Sequence, residues 1–257
     1  MLSLALVSCA KFDGEDNTGD GGTPEAASPD VSAPEAGSPP VIASGNVFEL
    51  GTTMPVPYAT IEAGPASTMT DVSGHFAVEV GPNLPFLPRL KANKFSSLTY
   101  DEISIAASKT FAAPFPMATD TYNATLVALY LNQPPYDDKK GSLAILLSLE
   151  PGCTTRAGAT LRVLVNGQPD GVVRYYDGAV PSKNAVAVND KEPISAVVYN
   201  LTPDVDLRVE VVGAGASAAC RQAAFPIVQD GVTFTGRAPQ VKIGKALTVS
   251  NQFLRGS

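Results

Sequence analysis

From residue 41 onward the apolar residues come in short alternating runs, cut by Gly and Pro. Alternation of this kind predicts strands, because successive side chains on a strand point to opposite faces. Residues 41–50 and 55–61 read as the first two. Thr70-Asp71-Val72-Ser73-Gly74-His75-Phe76 then turns the chain: Asp71 can bond the turn backbone, and Gly74 can take the positive φ required there. Beyond the turn, Phe76, Val78 and Val80 face one way and His75, Ala77 and Glu79 the other, which predicts a half-buried antiparallel strand. Further along, residues 142–149, 160–165, 172–176, 194–200, 205–212 and 247–253 read as strands. In the fifth of these, Val205, Leu207, Val209 and Val211 alternate with Asp206, Arg208 and Glu210. Asn166-Gly167 is a tight-turn signal.

One segment breaks the rule. Residues 118–131 place Tyr122, Leu126, Leu129 and Tyr130 at helical spacing, with Thr119 or Asp120 available as a cap. The unbroken run 126–131 also fits a buried strand; the helix is preferred. Residues 111–117 read as an apolar strap across the first half. With 22 Gly and 22 Pro in 257 residues, the whole is expected to be all-β, as two consecutive immunoglobulin- or transthyretin-like β-sandwiches with one short connecting helix.

Before residue 41 the pattern disappears. Residues 9–40 hold seven acids (Asp13, Glu15, Asp16, Asp20, Glu25, Asp30, Glu35) and one base (Lys11), and almost no large apolar side chains. Pro recurs every five residues from Pro24, which favours extended polyproline II. This stretch is expected to be a disordered tether, reaching on the order of 90 Å at about 3.1 Å per residue. Residues 13–20 superficially resemble a calcium loop but lack the bidentate Glu of an EF-hand. The remainder of the chain, with 18 acids and 17 bases, is nearly neutral. It offers none of the basic surface that nucleic-acid binding requires.

Signals for catalysis are sparse. His75 is the only His, so nucleophilic triads or a His-bearing zinc site would have to use it, and its strand phase puts it on the outer face. The acid pairs Asp137/Asp138, Asp190/Glu192 and Asp204/Asp206 read as solvated charges. The glycine-rich stretch 213–217 lacks the Lys of a phosphate loop and reads as a turn. No cofactor and no metal site is expected. Tyr175 and Tyr176 are adjacent on one strand, so one of them is expected to be exposed. That makes them the candidate platform for a glycan.

Two resemblances sharpen this reading. Leu6-Val7-Ser8-Cys9, after an apolar start, resembles a bacterial lipobox. The resemblance implies that residues 1–8 are the remnant of a signal peptide and that Cys9 is acylated. Ala10 rather than Asp after it implies the outer membrane, on its periplasmic or surface face. With Cys9 assigned to lipid, Cys153 and Cys220 remain, and outside the cytoplasm they are expected to pair; two separate buried thiols are the alternative. Gly45-Asn46-Val47, the run from Pro55 to Ile61 and the run from Thr70 to Phe76 together resemble the carboxypeptidase regulatory-like domain, a small transthyretin-like sandwich. Tyr58 stands where that family usually has Gly. The resemblance covers about residues 41–105 and implies fold more than function.

The expected organisation is therefore a lipid-anchored linker (9–40), a first sandwich (41–105), a connector with the helix (106–140) and a second sandwich (141–257). The expected function is a non-enzymatic, membrane-anchored scaffold, adhesion or interaction module with a cell-envelope protein or glycan as partner. The alternative is a glycan- or peptidoglycan-binding module.

Overall fold

The computed structural model describes residues 38–256 apart from 53, 113–114, 179, 191–193, 213–219, 238–239 and 244–245. Cys9, the 9–40 linker up to residue 37, the calcium-like stretch and the glycines at 213–215 lie outside the described residues. The chain is mainly β with one short helix. The first half contains β1 (Val41–Glu49), β2 (Thr60–Ala63), β3 (Ala66–Met69), β4 (His75–Val80), β5 (Pro88–Lys91), β6 (Leu98–Thr99), β7 (Ile103–Ile105), β8 (Lys109–Thr110) and β9 (Phe115–Met117). The helix α1 (Asp120–Tyr130) follows. The second half contains β10 (Gly141–Leu149), β11 (Thr160–Val165), β12 (Gln168–Asp170), β13 (Val172–Tyr175), β14 (Ile194–Leu201), β15 (Leu207–Val212), β16 (Cys220–Gln222), β17 (Ile227–Gln229), β18 (Val232–Phe234) and β19 (Leu247–Gly256).

One sheet runs through both halves in the order β13-β14-β10-β19-β6-β5-β2-β3, with β16 also paired to β19. The final strand sits in its middle, parallel to β10 on one side and to β6 on the other. Three smaller sheets complete the body: β4-β1-β8 with β9 on β1, β12-β11-β15, and β17-β18-β7. The last of these again joins the halves, since β18 pairs antiparallel with β7.

Strand alternation explains how one sheet serves two cores. On β10, Leu143, Ile145 and Leu147 enter one core with Leu161, Val163, Val198 and Leu254. Ala144 and Leu146 face the other, with Val47, Phe76, Leu90 and Val249. A strand buried on both faces needs an unbroken apolar run, which Leu143–Leu147 supplies. In the first half, β4 is exposed and buried by turns, with Phe76, Val78 and Val80 inside. The 111–117 stretch straps the first core through its rings: Phe115 makes edge contacts with Phe76, Tyr100 and Phe111, at centroid separations of 5.2–5.6 Å. β11 and β12 meet at Asn166-Gly167, both at positive φ, as a tight hairpin demands.

The helix starts where Thr119 caps it, its hydroxyl accepting from Tyr122 N at 3.1 Å, and Asp120 favours the dipole of the first turn. Its apolar face is partly buried and differs from the predicted one at Leu129. Leu126, Val127 and Tyr130 pack against Tyr176, Val197 and Tyr199, whereas Leu129 is exposed. A single α-helix laid on a sheet buries a narrow face, and Leu129 falls outside it.

Candidate functional site

A cleft of about 350 Å³ opens where the two halves meet. Its wall from the first half is β5 and β6. On β5 the side chains alternate, so Pro88 and Leu90 are buried while Arg89 and Lys91 stand outside on one face. The facing wall comes from the segment between β18 and β19, which brings Arg237, Gln240 and Lys242, with Asp206 beside them. Leu87, Leu98 and Ala246 contribute apolar surface.

Four of the lining side chains are cationic and one is anionic. Lys91 Nζ lies 2.6 Å from Glu62, Arg237 lies 3.7 Å from Glu102, and Lys242 pairs with Asp204. Gln240 Nε2 donates to Asp206 at 3.1 Å. Arg89 is opposite Glu62 in register, but Glu62 is taken by Lys91. Among the described residues the Arg89 side chain has no hydrogen-bond or ion-pair partner. Exposed pairs of this kind are worth about 0–1 kcal/mol each, so an incoming carboxylate or phosphate can exchange with them. An unengaged guanidinium presents a fork that fits either group bidentately.

The residues singled out from the sequence are dispersed. Asp71 Oδ1 accepts from Ser73 N at 2.8 Å, Ser73 Oγ at 2.6 Å and His75 N at 3.0 Å. The Ser73 hydroxyl first, then the His75 amide, holds the Asp71 carboxyl below its ordinary range. Gly74 has φ +78°, and a Cβ there would lie 2.5 Å from Val47 O. His75 is exposed on the outer face of β4 beside this turn. Cys153 and Cys220 form a disulfide that ties the turn after β10 to β16, across a sequence separation of 67. Among the acid pairs, Asp190 accepts from Arg156 N at 2.8 Å, and Glu192 lies outside the described residues.

The tyrosine pair requires a correction. Tyr175 and Tyr176 do face opposite sides, but both are buried, at 7% and 9% exposure. Tyr175 enters the core of the second half, where its hydroxyl accepts from Leu161 N at 2.8 Å. Tyr176 packs with Leu131 and Tyr199 under the α1 side of the sheet. Burial pushes both phenols up. The sheet is covered on both faces, so the alternation that predicted one wet ring gives two dry ones.

Asp101 went unnoticed in the sequence. It is 5% exposed and accepts from both the backbone N and the side-chain Nδ2 of Asn251, the latter at 3.0 Å. Burial raises its carboxyl to about pH 7, against the lowering effect of the hydrogen bonds from Asn251 and Ser250. This group ties the connection between β6 and β7 to the middle of β19. The cleft also went unnoticed, because its cations are scattered over positions 89 to 242. No helix among the described residues is long and apolar enough to cross a membrane.

No protein-family model and no curated protein matches the chain. Among solved structures, the minor pilin GBS52 of Streptococcus agalactiae is similar at 10% identity over 84% of this chain and 96% of that one, with a TM-score of 0.27. The shaft pilin spaA of Lactobacillus rhamnosus GG is similar at 8% identity over 85% and 97%, with a TM-score of 0.24. A type II cohesin–X-dockerin complex from Acetivibrio cellulolyticus contains a chain similar at 20% identity, with a TM-score of 0.26. That match covers 30% of this chain and 56% of the other. The chain thus spans little more than half the length of that relative.

Proposed function

We propose that this protein is a non-enzymatic interaction module of the cell envelope, anchored through lipid on Cys9, with the seam cleft as its contact site. The cleft carries the reading: four cations on two facing walls, with Arg89 unengaged, present a surface that recognises an anionic partner. The Cys153–Cys220 disulfide fits an oxidising, extracytoplasmic compartment. The resemblance of residues 41–105 to an accessory sandwich domain fits a module that takes its role from a partner. The buried tyrosines withdraw the support that the glycan reading had.

The test has two arms. In cells, Cys9→Ser is expected to move the protein from the membrane fraction to the soluble one; retention of that variant overturns the anchor. Purified Cys9→Ser protein is then expected to co-sediment with isolated cell envelopes in a salt-sensitive manner. Adding R89E and K242E is expected to reduce co-sedimentation about tenfold or more. Co-sedimentation unchanged by charge reversal removes the cleft as the contact site.

A further inference from the structure

The charge of this chain is divided in a way that matches the cleft. Residues 9–40 carry seven acids against one base, while the rest is nearly neutral. Three of the four cations of the cleft already engage protein carboxylates, those of Glu62, Glu102 and Asp204, so Asp and Glu side chains are the ligands this geometry accommodates. The lining includes no aromatic ring on which a sugar could stack. Its apolar lining, from Leu87, Leu98 and Ala246, suits the apolar edges of Pro and Ala, which are interspersed among the acids at positions 24–36.

We infer that the cleft is a receptor for an acidic polypeptide segment, and that residues 13–35 of this same chain are its occupant. Reach is no obstacle. From Ser38, the first described residue, back to Asp13 the chain can span up to about 85 Å at roughly 3.4 Å per residue. A body of this size has a radius of gyration of about 17 Å. Engagement at Arg89 leaves the existing pairs intact, and additional carboxylates exchange with Glu62, Glu102 and Asp204 at little cost. Tethering raises the local concentration of the segment to the millimolar range, so weak individual contacts suffice for occupancy. An external acidic partner would then have to displace the chain's own segment. This inference rests on the cleft being the contact site.

The test uses the full chain in the Cys9→Ser background and a labelled synthetic peptide with the sequence of residues 13–35, followed by fluorescence anisotropy. A second protein carries the seven acids of positions 13–35 changed to their amides. The amide chain, whose own segment no longer competes, is expected to bind the peptide at least tenfold more tightly than the parent. Binding is expected to weaken about tenfold or more from 50 to 500 mM salt, and to fall equally with R89E/K242E. The milder R89Q/K242Q pair, at exposed positions, is expected to give an intermediate loss with an unchanged urea midpoint. Equal binding by parent and amide chains overturns the self-occupancy. Absence of binding by the amide chain, or binding indifferent to both cleft variants, overturns the peptide receptor. Cleft-dependent binding of an oligogalacturonate in place of the peptide assigns the site to an acidic glycan instead. No envelope material is present, so a failure here leaves the co-sedimentation result standing.

Discussion

Asp101 is a carboxyl held where water is excluded, with Asn251 as its principal partner. The folded chain keeps its proton to about pH 7, whereas an ordinary Asp releases it near 3.8. Between those values the folded state binds more protons than the unfolded one. Folding stability from this group is therefore greatest below about pH 4 and declines as pH rises toward 7. A shift of that size corresponds to about 4 kcal/mol. Calorimetric unfolding midpoints are expected to fall across pH 4.5–7.5 in the parent, and Asp101→Asn is expected to flatten that decline relative to it. Superimposable pH profiles for parent and variant would refute the assignment. Tyr58 is a second residue that explains itself only in three dimensions. Its φ is +57°, a left-handed conformation that Gly adopts freely and other residues adopt at a cost.

At the scale of elements, legibility followed length and local chemistry. The Thr70–Phe76 turn could be read because its bonds are local: Asp71 reaches two and four residues ahead, and Gly74 supplies the positive φ. Here Gly74→Ala is expected to lower stability by about 2 kcal/mol or more, through both φ and the close approach to Val47 O. A urea midpoint equivalent to less than about 0.5 kcal/mol of change would sink that account. The helix was legible from Thr119 and its spacing, although Leu129 was placed on the wrong side. The β16, β17 and β18 strands were not legible. Each is three residues long, too short for a period, and β18 is held by β7, more than 120 residues earlier. The cleft was hidden for the same reason: its walls come from residues 87–99 and from 206–246, and only strand pairing brings them together.

For the whole molecule, two bonds between distant positions set how it holds together. The sheet joins the halves through β19, and the disulfide closes a long loop within the second half. In the chain-entropy description, a loop of that length stabilises by about 4 kcal/mol. Replacing Cys153 and Cys220 by Ala is expected to reduce the free energy of unfolding by roughly 2–5 kcal/mol. A loss under about 1 kcal/mol in urea titration would show that the sheet alone suffices. Apolar alternation reports which face of a strand is buried and is silent about which strand lies alongside, so the pairing of β19 with both β10 and β6 is not legible locally. Val249 and Leu254 of the last strand pack in different cores, which no local pattern distinguishes.

A keystone strand shared by two interiors has a consequence for the order of folding. Until residues 247–256 enter, the slot between β10 and β6 is vacant and neither hydrophobic interior can shut. The two interiors are therefore expected to set together, in one late event governed by the entry of a single strand.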